Sequence, residues 1–141
     1  KKQDRLPGEF LERIIVPKRA DNTLFATYKV SKRFDQDISA VCAGFALDID
    51  GGIIRAARLC YGGMAATPKR AAAAEAALVG QPWARDAVIA AVAAMDADFS
   101  PLSDMRASAL YRQNVAKNLL KRFFIETTMP QVKTGVYRHA G

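Results

Sequence analysis

The sequence predicts an α+β fold: a mostly antiparallel sheet of three to four strands followed by three helices packed on one face, an α/β two-layer sandwich. Three observations lead there. Strand-like segments fill the first half of the chain and helix-like segments the second, the order expected when helices gather on one side of an antiparallel sheet. Residues 38–47 alternate large and small side chains with period two, which sends the two sets to opposite faces of a strand. Asp50-Gly51-Gly52 then supplies a hairpin turn, because glycine accepts the positive φ of primed turns.

Taken in order, residues 9–16 end in a β-branched run that stops at Pro17, and read as a first strand. Residues 17–22 are polar and loop-like. Leu24, Phe25, Thr27 and Tyr28 mark a second short strand over residues 23–29. A polar loop follows. In the next strand Val41, Phe45, Leu47 and Ile49 form a large face, expected to meet the helices, and Ala40, Cys42, Gly44 and Ala46 a small face. The small face leaves room for another body, such as a neighbouring domain, to approach closely. Residues 53–61 return as the partner strand, broken by Gly62-Gly63.

Thr67-Pro68 predicts the start of a first helix, with a capping hydroxyl and a pre-set φ. The Ala-rich run to Leu78 has high helix propensity and Gly80 ends it. Residues 84–97 carry Val88, Ala91, Val92 and Met95 on one face. The third helix is expected from Ser103 or Asp104 to about Glu126. Its stripe is Ala109, Ala116, Leu119, Leu120 and Phe123, and its basic surface Arg106, Arg112, Lys117, Lys121 and Arg122. The whole, residues 1–141, reads as a single domain, with residues 1–8 and 127–141 as weakly ordered tails.

The 141 residues suit one hydrophobic core. No apolar run is long enough for a membrane span, and the charged N-terminus is not a signal peptide; a cytoplasmic location is expected. The chain starts at Lys1 instead of Met, the expectation for a piece of something longer. The net charge of +7 is uneven: residues 106–141 hold seven basic and one acidic residue, and residues 36–105 five and eight. Such a surface suits nucleic acid, a phosphate-bearing ligand or an acidic partner, or is a solvated face. No nucleic-acid motif accompanies it, so no nucleic-acid partner is expected.

Phosphate-binding glycine loops and nucleophile elbows are absent. Cys42, Cys60 and the tail residue His139 are too few for a zinc or iron–sulfur site, and the two cysteines read as buried thiols, with a cross-strand disulfide as the alternative. Asp96, Asp98 and Asp104 flank a helix junction and read as caps or turn residues. No catalytic residue and no metal site are expected in this chain. Two constellations remain. Lys29-Val30-Ser31-Lys32-Arg33-Phe34-Asp35-Gln36-Asp37 is either a solvated loop or a binding loop on a rigid sheet, where Arg33 suits a forked contact to phosphate or carboxylate. Gly62-Gly63 with Arg70 and Glu75 is either a second site or a strand exit beside exposed helix residues.

Three ordered blocks carry a resemblance. The first is the loop just quoted, continued by Ile38-Ser39-Ala40-Val41. The second is Leu59-Cys60-Tyr61-Gly62-Gly63-Met64-Ala65-Ala66-Thr67-Pro68-Lys69-Arg70-Ala71. The third is Ser100-Pro101-Leu102-Ser103-Asp104-Met105-Arg106-Ala107-Ser108-Ala109-Leu110-Tyr111-Arg112. Together they resemble the flavoprotein of xanthine dehydrogenases, in particular the bacterial small subunit with iron–sulfur clusters and FAD. The resemblance is to the C-terminal subdomain of its FAD module, of the CO dehydrogenase flavoprotein C-terminal type.

That resemblance implies an oxidoreductase, a molybdenum hydroxylase of purine metabolism passing electrons from molybdenum through iron–sulfur clusters to FAD and then to NAD. It implies FAD contacts from Lys29 and Leu11 and an NAD-side loop of Arg33, Asp35, Gln36 and Asp37. FAD would be shared with an upstream FAD-binding domain. Iron–sulfur domains and a molybdopterin-containing large subunit would be the other partners. The isolated chain is expected to bind no cofactor and to be inactive. Two further readings stand beside this one: a segment of another molybdenum hydroxylase, and a non-catalytic interaction domain using the basic last helix.

Overall fold

The computed structural model describes residues 4–33 and 36–135. Four strands, β1 (Thr23–Val30), β2 (Val41–Asp50), β3 (Ile53–Gly62) and β4 (Lys69–Arg70), form one antiparallel sheet in the order β1-β2-β3-β4. Helices α1 (Ala72–Leu78), α2 (Arg85–Asp98) and α3 (Ala109–Thr128) follow and pack on one side of the sheet. The α+β expectation stands.

Period-two alternation decides which face is buried. Val41, Ala43, Phe45 and Leu47 of β2 and Leu59 and Tyr61 of β3 point under the helices. A bulge between Asp48 and Ile49 shifts the register to Ile49↔Ile54 and skips Arg55. The extra residue lets Ile54 and Ala57 both reach the core while Arg55 stays exposed. Phe45 is the hub: its ring lies 5.3–5.7 Å from those of Tyr28, Tyr61 and Phe123. Ala87, Val88, Ala91 and Met95 of α2, and Ala116, Leu119, Leu120 and Phe123 of α3, close the core.

Several expectations need correction. Residues 9–16 form no strand. Phe10, Leu11, Ile14, Ile15 and Val16 are 74–81% exposed, and strand propensity without a paired neighbour does not make a strand. Thr67-Pro68 does not start α1: Lys69 and Arg70 first pair with Tyr61 and Cys60 as β4. Ala71 holds the cap position without a side-chain bond. The α1 N–H groups of Ala73 and Ala74 go instead to the Asp98 carboxylate at the end of α2 (2.9 and 3.0 Å). The third helix begins five residues later than Asp104. Asp104 takes the N–H groups of Arg106 and Ala107 into a local turn, and Ser108 caps α3 by accepting from Tyr111. Cys60 is exposed and Cys42 half-buried, both on the small face, as free thiols.

Candidate functional site

The face of the sheet opposite the helices is a shallow platform. Lys29, Cys42 and Gly62 lie in register across β1, β2 and β3, and Thr27, Gly44 and Cys60 form the next row. The small residues stand between exposed Phe25, Thr27 and Lys29 on one side and Arg58 and Cys60 on the other. Cys42, Gly44 and Ala46 are half-buried rather than open to water, yet no other element among the described residues covers them. A Cβ at Gly62 would fall 2.5 Å from the Cys42 sulfur, so glycine keeps this end of the platform flat. Among the described residues no carboxylate or hydrogen-bond acceptor engages the Lys29 ammonium. A flat surface beside a cation with no partner among the described residues fits a planar ring system able to take up negative charge.

The polar loop leaves β1 at this end. Gln36 adopts φ 49°, and this left-handed turn folds Asp37 back onto Arg33. The Asp37 carboxylate accepts from the Arg33 and Ile38 N–H groups (both 2.9 Å) and pairs with the Arg33 guanidinium at 3.6 Å. The Arg33 backbone N–H is the main reason its carboxyl titrates below the ordinary range. Arg33, Gln36 and Asp37 therefore share one hollow of about 450 Å³, with Lys32, Ile38, Ala40, Met105 and Arg106. Asp35 lies outside the described residues. Lys29 is on the adjoining sheet face. Leu11 lines a different hollow, formed among the described residues by residues of the 4–12 segment.

A buried arginine fixes the loop ends. The Arg112 guanidinium donates to the carbonyls of Ala40 and Gly63 (the latter at 3.1 Å) and to the Asp104 carboxylate at 2.6 Å. It joins the start of β2, the exit of β3 and the approach to α3. Gly63 has φ 81°, and a Cβ there would lie 2.3 Å from the Ala40 oxygen; the glycine is needed for this closure.

Helical periodicity predicts Arg112 on the basic surface of α3, but it is 4% exposed. Lys117 and Arg122 are likewise not free, pairing with Asp96 (2.6 Å) and Glu126 (2.7 Å). Of the expected basic stripe, Lys121 alone meets no carboxylate among the described residues. Arg106, expected on the same basic surface, precedes α3 and pairs with Asp104 at 3.5 Å. Lys32 of the polar loop donates from Nζ at 2.7 Å to the carbonyl of Met105, a residue to which sequence reasoning gave no role. Nothing in the sequence predicts that Lys32 and Arg106 meet. Their place in two of the quoted blocks was the available signal.

The second constellation holds the fold. Buried Glu75 accepts from the Leu59 N–H at 2.7 Å and from the Arg70 guanidinium at 2.6 and 2.9 Å, tying α1 to β3 and β4. Among the described residues no three His, Cys, Asp or Glu side chains gather as metal ligands. Among the described residues no helix is long and apolar enough to cross a membrane.

Comparison with known proteins gives a consistent picture. The CO dehydrogenase flavoprotein C-terminal domain family matches residues 26–127. Nicotinate hydroxylase hnxS of Emericella nidulans is 32% identical over 124 residues, covering 83% of this chain and 9% of that protein. Carbon monoxide dehydrogenase from Hydrogenophaga pseudoflava, in a form lacking the Mo-pyranopterin moiety of its molybdenum cofactor, superposes with a TM-score of 0.70 at 33% identity, over 76% of this chain and 37% of that one. Reconstituted CO dehydrogenase from Oligotropha carboxidovorans gives 0.68 at 30% identity, over 76% and 37%. Quinoline 2-oxidoreductase from Pseudomonas putida 86 shares the fold, with a TM-score of 0.65 at 24% identity over 74% and 36%. The chain thus spans little more than a third of these solved chains and about a tenth of the curated relative.

Proposed function

We propose that this chain, which belongs to the CO dehydrogenase flavoprotein C-terminal domain family, is the C-terminal segment of the FAD module of a xanthine dehydrogenase. It helps position FAD and gates NAD while electrons pass from molybdenum and iron–sulfur centres to NAD. The observation that carries the flavin half is the platform: Lys29, without a partner among the described residues, stands at the end of a row whose other members, Cys42 and Gly62, are small. Lys29 sets a positive charge beside a ring resting there and favours negative charge on it. Leu11 supplies an apolar contact from the exposed segment before β1. FAD bound at such a site supplies the electron-transfer chemistry. Arg33, Asp35, Gln36 and Asp37 form the acceptor side. The loop's closure onto Asp37, with Arg112 holding its far end at Ala40, keeps Arg33 over the hollow.

The partners in this reading are an upstream FAD-binding domain, iron–sulfur domains and a molybdopterin-containing large subunit, in the cytoplasm. The chain alone is inactive. A second reading, a molybdenum hydroxylase acting on another N-heterocycle, is favoured by the similarity to nicotinate hydroxylase. The interaction-domain reading loses its main support, because the α3 cations it would use are largely paired within the chain.

The test is Lys29→Met in the assembled enzyme. FAD content should fall, or NAD reduction by xanthine should slow, while the fold is unchanged. Full flavin content at an unchanged rate would overturn the role of Lys29. Turnover of nicotinate without turnover of xanthine would move the assignment to the second reading.

A further inference from the structure

Beside the platform lies a groove that the flavin reading does not use. Two hollows, of about 450 and 330 Å³, share Lys32, Ala40 and Arg106 between the polar loop and the connection into α3. Lys32, Arg33 and Arg106 reach it, and Asp37 is the one carboxylate lining it among the described residues. Asp37 is already taken by Arg33. Arg106 shares the Asp104 carboxylate, at 3.5 Å, with the closer Arg112, so one negative charge is divided between two guanidiniums. Lys32 is held by the Met105 carbonyl and not by a carboxylate. Among the described residues no carboxylate compensates its charge, and two of its N–H donors find no acceptor there. Ala107 and Ser108 form the far wall, where the 20-residue α3 begins, and a helix N-terminus adds to the attraction for anions. The exposed side chains of Met105 and Tyr111 give the same groove an apolar rim.

We infer that this groove binds the diphosphate of a nucleotide, held by Lys32 and Arg106, with Arg33 at one end and Met105 and Tyr111 against the nucleoside. Two phosphates match the surplus of positive charge among the described residues, and forked guanidinium donors suit phosphate oxygens. The inference touches the acceptor-side loop and names the part of a dinucleotide acceptor that it grips. It does not depend on that reading, because binding here requires no flavin and no redox step. Failure of Lys29→Met and failure of the groove are therefore separate outcomes.

The experiment is titration of the isotope-labelled chain with pyrophosphate, ADP and adenosine, followed by backbone amide resonances. Saturable shifts are expected at Lys32, Ala40, Ala107 and Ser108 with pyrophosphate and ADP and not with adenosine, weakening as salt is added. Lys32→Gln and Arg106→Gln should each reduce affinity about tenfold. Lys32→Arg should retain binding, and Lys121→Gln, a cation elsewhere on α3, should leave it unchanged. ADP binding more tightly than pyrophosphate is expected for a nucleotide site; equal affinities would overturn the nucleoside contact. No saturable response to either anion, or equal affinity in Lys32→Gln, would overturn the site.

Discussion

Arg112 is buried at a depth where a guanidinium is costly unless its donors are met. Two carbonyls and a carboxylate meet them, although Nε has no partner among the described residues. None of this was legible in the sequence. An arginine on an amphipathic helix is expected to face water, and the carbonyl that overrides the expectation lies 72 residues away. Lys29 was legible, because strand alternation alone puts it on the face opposite Tyr28. Asp104, the partner of Arg112, carries a pH prediction. The N–H groups of Arg106 and Ala107, and then the Arg112 guanidinium, hold its carboxyl at about 2 against an ordinary 3.8. A lowered folded-state value means that the stabilisation is complete above 3.8 and is lost as pH falls toward 2. Urea midpoints measured from pH 5 to pH 2 should therefore drop more steeply for the native chain than for Asp104→Asn. Parallel profiles would show that Asp104 does not couple folding to protons.

Whole elements were legible where local pattern and tertiary need agree. The size alternation of residues 38–47 and the Asp50-Gly51-Gly52 turn give β2 and β3 within a few residues. Element starts were not legible, because the caps come from elsewhere in the chain. Thr67 has the right chemistry to cap a helix, but the sheet claims the next residues as β4. The true cap of α1, Asp98, is 24 and 25 residues from the N–H groups it accepts. Asp98 also keeps α2 against α1, while its backbone carbonyl accepts from Lys69 Nζ at 2.6 Å. Asp98→Ala should cost about 1–2 kcal/mol, the usual range for a lost cap, read as a lower denaturation midpoint with an unchanged slope. Asp96→Ala, which breaks only an ion pair with Lys117 near the surface, should cost less than about 1 kcal/mol. Equal losses would mean that Asp98 does not cap α1.

The molecule as a whole divides into a closed layer and open surfaces. The inner face of the sheet is sealed by α1, α2 and α3, and the core is complete from Thr23 to Phe123. Among the described residues no further element covers the platform around Cys42 and Gly44, and the apolar side chains from Phe10 to Val16 are largely exposed. Exposed apolar stretches of this kind mark interaction surfaces. The strand pattern read in residues 9–16 was genuine as a pattern, but a strand needs a neighbour and β1 does not take that role here. Stability and exposure are thus predicted to separate. Removing residues 1–20 should leave the thermal midpoint within about 2 °C, under about 1 kcal/mol for a domain of this size, because the side chains of residues 4–20 are all exposed. The same deletion should lower the tendency to self-associate, measured by light scattering as the chain is concentrated. Cutting the chain before Phe123 should unfold it, since Phe123 packs on both Phe45 and Trp83. A large drop in midpoint on removing residues 1–20 would show that the segment before β1 docks on this fold, and the platform would then be the surface to examine for it.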